Sequence, residues 1–236
     1  MGNLERDYLA WILSLPEAEL FLSEATRNVL AEAGGDASFF DPVEYFAPEG
    51  EKLPRDPGPL GFRTLMDAIQ GGRMIRYRYR TREERNYTEC EMVPWKLEYS
   101  AYDRRWWVIL YDKESRRTIK AQLGRLKDIE LTGRAEVTRE EIETAMEQLL
   151  APEPVVLKMK DVHNVTERCF LVLENQMFEE TVLEADGSCR INFRYYRFDE
   201  EEILRKLLYL GPDVTLVGPE IMREKLRAMV EQALDH

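Results

Sequence analysis

The side chains with the clearest chemical potential lie between Arg73 and Leu131, where Arg76, Arg78, Arg80, Arg105, Lys120 and Arg125 interleave with Tyr77, Tyr79, Trp106 and Trp107. Guanidinium and ammonium groups hold phosphates, and aromatic rings stack on bases, each stack worth roughly 1 to 3 kcal/mol. The pattern therefore points to an anionic, ring-bearing ligand. From Arg63 to Arg134 there are 17 Lys and Arg against 11 Asp and Glu, an excess of +6, whereas the whole chain has 33 against 45 and a net charge of −12. A basic stretch in an acidic molecule draws anions to one place and repels them elsewhere.

Catalytic readings find less support. The chain has no G-x-S-x-G elbow, Walker loop or dinucleotide-binding glycine pattern. Paired carboxylates such as Glu89 with Glu91, or Glu179 with Glu180, fall on alternating or helical solvent faces and read as solvation. His163, beside Asn164, reads as a turn residue with no paired nucleophile. Only two histidines and three widely spaced cysteines occur, Cys90, Cys169 and Cys189, and none has metal-ligand spacing. The expectation is a non-enzymatic protein with no cofactor and no metal, whose cysteines are small core residues. No apolar run approaches the roughly 20 residues that span a bilayer, and MGNLERDYLAWILSL lacks a secretory pattern, so a cytoplasmic location without membrane contact is expected.

Several elements must position the basic residues. Asn3 is placed to cap a helix bearing Leu4, Tyr8, Trp11, Ile12 and Leu15, Ser23 to cap another, and Gly34-Gly35 to close it with left-handed residues. From Asp36 to Gly61 prolines deny regular structure, and Phe39, Phe40, Tyr45 and Phe46 suggest a connector lying against a neighbour. Phe62, Leu65, Met66 and Ile69 mark an amphipathic helix ended by Gly71-Gly72. In Met74 to Arg80, Ile75, Tyr77 and Tyr79 alternate with Arg76, Arg78 and Arg80, the period of a half-buried strand. Further strands are expected at Tyr87 to Val93, Trp95 to Tyr99, Arg105 to Tyr111, Thr118 to Leu123 and Lys127 to Leu131, enough for a small barrel. Tyr77, Tyr79 and Trp106 are expected to pack. The Arg76, Arg78 and Arg80 row reads equally as a solvated face or an anion contact. Trp106 and Trp107, being adjacent, must face opposite sides.

Beyond a helix from Thr138 to Leu150, strand Val155 to Met159, helix Val165 to Leu173, a hairpin turning at Asp186-Gly187, helix Glu200 to Leu210, strand Val214 to Val217 and helix Pro219 to Leu234 follow. That β-α-β-β-α-β order is ferredoxin-like.

At these residues the chain resembles the WYL-domain family of bacterial regulators. RMIRYRYR looks like the family's first strand, Pro94 stands at its proline, Trp106-Trp107-Val108 takes the place of Trp-Tyr-Leu, and AQLGRL that of F-R-L-D-R-I. DGSCRINF, EEILRKLLYLG and VTLVGPEIMREKL are similar to the extension that often follows such domains, and SLPEAELFLSEATRNVL to the connector before them. The resemblance implies an α+β protein: a helical connector and linker (1–61), an SH3-like or Sm-like barrel (62–134), a linker helix (135–152) and a ferredoxin-like extension domain (153–236). It further implies a ligand-sensing effector of a transcription regulator, binding single-stranded DNA, RNA or a nucleotide through Arg125, Lys120, Gln122, Tyr79, Trp107, Arg76, Arg78 and Arg105. Ile119 and Gln122 stand where relatives carry groove arginines, and Gly124 where they carry an acid. No helix-turn-helix is recognisable, and the first 62 residues hold 4 Lys and Arg against 12 acids, which will not grip DNA. A homodimer is expected, with a DNA-binding domain or partner protein supplied elsewhere. The alternative function is a protein-protein or dimerisation module without a ligand.

Overall fold

The computed structural model describes residues 2–15, 17–37, 58–80, 87–100, 105–160 and 162–234. It divides into two compact units, residues 1–99 with 104–137, and residues 100–103 with 138–236. The aromatic connector residues Phe39, Phe40, Tyr45 and Phe46 lie outside the described residues. No described helix is long and apolar enough to cross a membrane.

The first unit opens with α1 (Asn3–Ser14), α2 (Ala18–Phe21) and α3 (Glu24–Ala31). Gly2, not Asn3, precedes α1, and its backbone N–H donates to the Glu5 carboxylate at 2.7 Å. Trp11 and Ile12 are half-buried, but Leu4 and Tyr8 stay exposed, so the expected packing of α1 is only partly made. Ser23 caps α3 through the Thr26 N–H at 3.2 Å.

Gly34 and Gly35 are not left-handed. They serve close approach instead, because the chain folds back on α1: the Gly35 N–H donates to the Arg6 carbonyl, and the Asp36 N–H to the Asp7 carboxylate. A Cβ on Gly35 would stand 2.1 Å from Asp7 Oδ1 and 3.1 Å from the Asp7 backbone nitrogen. Gly35→Ala should therefore cost about 1–2 kcal/mol, read as a lowered denaturant midpoint; an unchanged midpoint would show that the hairpin relaxes freely.

Helix α4 (Gly58–Gly71) buries Phe62, Leu65 and Ala68 and stops at Gly72, whose φ of +57° suits a residue without Cβ. The Arg63 guanidinium on its flank donates to the Glu19 and Leu22 carbonyls, satisfying the end of α2. Five strands follow: β1 (Arg73–Tyr79), β2 (Thr88–Ser100), β3 (Arg105–Asp112), β4 (Arg117–Gln122) and β5 (Leu126–Arg134). Their order is β4-β3-β2-β1-β5, the strand order of an SH3-like barrel. Ile75 and Tyr77 of β1 are buried while Arg76 and Arg78 point outward. The core gathers these with Val108, Leu110, Leu123 and Leu126 against Phe62 and Leu65. Burial pushes the Tyr77 phenol far above its ordinary pKa, and its hydroxyl donates to the Met92 sulfur at 3.3 Å.

Two strands were expected around Pro94; the structure has one. Pairing of β2 with β1 ends at Met92, so Pro94 is not asked for a hydrogen bond to that neighbour. The core-facing residues change phase there, from Cys90 and Met92 to Leu97. Pro94 thus marks a shift within the strand rather than its end.

In the second unit, α5 (Arg139–Glu147) carries a capping box between Thr138 and Glu141. Then come β6 (Val155–Lys160), α6 (Val165–Val172), β7 (Met177–Leu183), β8 (Ser188–Arg194), α7 (Glu200–Leu210), β9 (Val214–Gly218) and α8 (Glu220–Leu234). The antiparallel sheet runs β7-β8-β6-β9, the ferredoxin-like arrangement. Gly187 at φ +78° makes the β7–β8 turn, and the Ser188 N–H donates to Asp186. Three glutamates open α7, where the helix dipole favours anions, and Gly211 ends it. Cys169 and Cys189 lie in this core, and burial pushes the Cys169 thiol up to about 12.

Candidate functional site

Alternation along β3 sends its two tryptophans to opposite faces. Trp106 turns inward, its ring 4.8 Å from Phe62 and 5.1 Å from Tyr99. Trp107 faces the other way, directly opposite Gln122 of β4. Lys120, two residues before Gln122 and on the same face, sets its ammonium 5.5 Å from the Trp107 ring centroid, within cation–π range. The indole Nε1 of Trp107 is buried without a hydrogen-bond partner among the described residues. Arg105, half-buried at the start of β3, shares the Trp107 face by alternation.

Lys120 is not a free cation. Its side chain is only 7% exposed, and its ammonium lies 3.2 Å from Glu98 Oε2, itself 11% exposed. Lys96 reaches the other Glu98 oxygen at 3.0 Å. Burial alone would push the Glu98 carboxyl up, but the Lys120 charge, with the Lys96 hydrogen bond and charge, holds it below its ordinary value.

Arg125 closes the short 3-10 turn Leu123–Arg125 between β4 and β5. It is half-buried, and its guanidinium has no carboxylate partner among the described residues. The next residue, Leu126, pairs with Tyr79 at the end of β1. Tyr79 itself leans on the barrel core.

Arg76 and Arg78 lie on the outer side of β1, which β2 separates from β3. Arg76 Nε is 3.5 Å from Glu89, and Arg78 is ion-paired with Asp128. The strand register also sets Arg76 against Glu91 and Glu130. This is a ladder of exposed ion pairs, each worth at most about 1 kcal/mol.

Of the eight residues singled out in the sequence, the fold brings Trp107, Lys120, Gln122 and Arg105 to one face of β3–β4, with Arg125 in the following turn. Tyr79, Arg76 and Arg78 belong to β1. Sequence reasoning missed Glu98 and Tyr87. Alternation from Lys96 could have placed Glu98 on a shared face, but only the β2–β3–β4 neighbourhood identifies its partner. Tyr87 precedes β2 and has three cations around its ring.

Residues 61–131 match the WYL domain model, and residues 109–234 match the WCX domain model. No curated protein matches the chain. Among solved structures, the chain is similar to the proteasome accessory factor B/C (PafBC) of Arthrobacter aurescens, at 20% identity and a TM-score of 0.34, over 97% of this chain and 34% of that one. It is also similar to a CRISPR Cas-related protein, at 9% identity and a TM-score of 0.45, over 75% of this chain and 51% of that one. The chain thus spans about a third and about half of the lengths of these two proteins.

Proposed function

Because the chain belongs to the WYL-domain family and carries the WCX extension, we propose that it is the ligand-sensing effector part of a bacterial transcription regulator, taking a nucleic acid or a nucleotide at the Trp107 face of its barrel. The observation that carries this reading is the Arg125 guanidinium in the turn that follows β4, without a carboxylate partner among the described residues, in a molecule of net charge −12. Anions are repelled by most of such a surface and held where a cation lacks a partner. Arg125 takes the phosphate, Trp107 offers a ring for stacking, and Gln122 reads a polar edge with its amide. Lys120, bound to Glu98, shapes the Trp107 face more than it attracts charge. Arg105 adds charge on the same face, Tyr79 supports the turn that carries Arg125, and the Arg76 and Arg78 ladder is an outlying contact. DNA binding by the regulator then comes from another segment or a partner.

Fluorescence anisotropy with short single-stranded DNA and RNA, and competition by cyclic and linear nucleotides at two salt concentrations, tests this directly. Arg125→Ala is expected to weaken binding about tenfold or more, the loss of a charge-assisted hydrogen bond, with an unchanged melting temperature. Equal affinity in wild type and variant would remove Arg125 from the site. Negligible binding of every probe, with a mass that rises with concentration, would favour a dimerisation module instead.

A further inference from the structure

The Lys120–Glu98 ion pair joins strands that are not neighbours. Glu98 alternates with Leu97 of β2, Trp107 with Val108 of β3 and Lys120 with Ala121 of β4, and those three neighbours pack in or on the barrel core. Glu98, Trp107 and Lys120 therefore share the opposite face. Because β3 lies between β2 and β4, the 3.2 Å contact between the Lys120 ammonium and Glu98 Oε2 spans it. Adjacent strands stand about 4.8 Å apart, so the two side chains together bridge roughly twice that distance. They form a strap across β3, with the ammonium 5.5 Å from the Trp107 ring centroid. Lys96 holds the second Glu98 oxygen at 3.0 Å, which fixes that end of the strap. The indole has no such anchor, since its buried Nε1 makes no hydrogen bond among the described residues. Its angle is set by packing and by the ammonium over one side. Trp107 stays only half-buried, so part of the ring remains within reach of solvent.

We infer that Glu98 is a positioning residue for the Trp107 site: it draws Lys120 across β3 and so sets the indole with one side backed by the ammonium and the other turned to the ligand. A ring backed in this way takes one base, because it cannot be sandwiched between two. A strand that occupies the site turns a single base onto Trp107, with Gln122 directly across on β4 to meet that base's edge. A mononucleotide makes the same contact. This inference deepens the reading above and rests on it for the nature of the ligand, whereas the angle of the ring is a property of the free protein.

Two measurements on the full chain test this. The first follows the indole Nε1–H resonance of Trp107, identified by its loss in Trp107→Phe, without ligand. Wild type and Lys120→Arg, which keeps a cation and the ion pair, should each give one narrow resonance. The double variant Glu98→Gln with Lys120→Met, a strap without charge, should broaden or split it while circular dichroism shows the fold intact. A resonance that stays single and narrow there overturns the inference, since packing alone then holds the ring. Should the double variant not fold, Glu98→Gln alone carries the same expectation at smaller amplitude. The second measurement titrates adenosine monophosphate and a labelled dA oligonucleotide. The neutral strap should bind both about threefold to tenfold more weakly, the effect of losing one cation–π contact, and Lys120→Arg about as well as the wild type. Equal affinity in the neutral strap, or an equal loss in Lys120→Arg, would confine the pair to a role in the fold and overturn the inference. Adenosine monophosphate at saturation should move the Trp107 resonance as far as the oligonucleotide does; a shift that only the strand produces overturns the one-base contact. If neither probe moves Trp107 while the neutral strap still broadens its resonance, the positioning role stands and the ligand reading above fails alone.

Discussion

Trp106→Ala is expected to destabilise the barrel by about 3 kcal/mol or more, whereas Trp107→Ala, one residue away, should cost far less stability and abolish ligand response. Deleting a large aromatic side chain from a packed core removes its burial energy and leaves a cavity, together typically about 3–5 kcal/mol. Trp106 is half-buried and packs against such a core, its ring centroid 4.8 Å from Phe62, 6.0 Å from Phe21 and 5.1 Å from Tyr99, so the lower end of that range applies. Those contacts join α2 and α4 to β2 and β3, so their loss loosens the helices as well as the sheet. Trp107 lies on the opposite face, with the Lys120 ammonium near its ring and Gln122 across from it on β4. Urea unfolding followed by circular dichroism, paired with the anisotropy assay, reads both variants. Equal destabilisation by the two substitutions would mean that both tryptophans are packing residues, leaving the proposed face without its stacking ring.

The second large effect concerns the pair beneath that face. Glu98→Ala takes from the Lys120 ammonium, 7% exposed, the carboxylate 3.2 Å away, and breaking such a buried pair from one side costs about 3–5 kcal/mol. Lys120→Met in the Glu98→Ala background should recover much of that loss, because the buried charge that Glu98 balanced is then gone. No recovery would show that the pair is not coupled as its 3.2 Å separation indicates. The same pair makes stability depend on pH. The folded Glu98 carboxyl titrates below its ordinary value of 4.5, so the folded state binds fewer protons there than the unfolded state. Its contribution is complete above 4.5 and disappears as the pH falls through the lower folded value. Glu98→Gln should therefore flatten the acid limb of the stability curve relative to the wild type.

Much of the fold was legible in the chain. The alternation of Ile75 and Tyr77 with Arg76 and Arg78 marked β1 and its buried face. The Asp186-Gly187 turn and the Glu200–Leu210 helix stand where their local signals put them. The misreadings have local causes. Pro94 looks like a strand end, yet it falls beyond the last residue of β2 that pairs with β1. Gly34-Gly35 looks like a left-handed cap, yet Gly35 is small because Asp7 stands where its Cβ would be. In each case the deciding neighbour is distant in sequence.

The candidate site divides the same way. Backbone periodicity is a property of adjacent residues, so the sequence alone could decide that Trp106 and Trp107 face opposite sides and that the arginines of β1 share one. Which cation remains available is decided by cross-strand register. Lys120 is taken by Glu98, Arg78 by Asp128 and Arg76 by Glu89, while Arg125 is left without a carboxylate among the described residues. A charge count treats all of these side chains alike. Coulombic pairing acts over a few ångströms in space, and only the tertiary structure brings those carboxylates within reach.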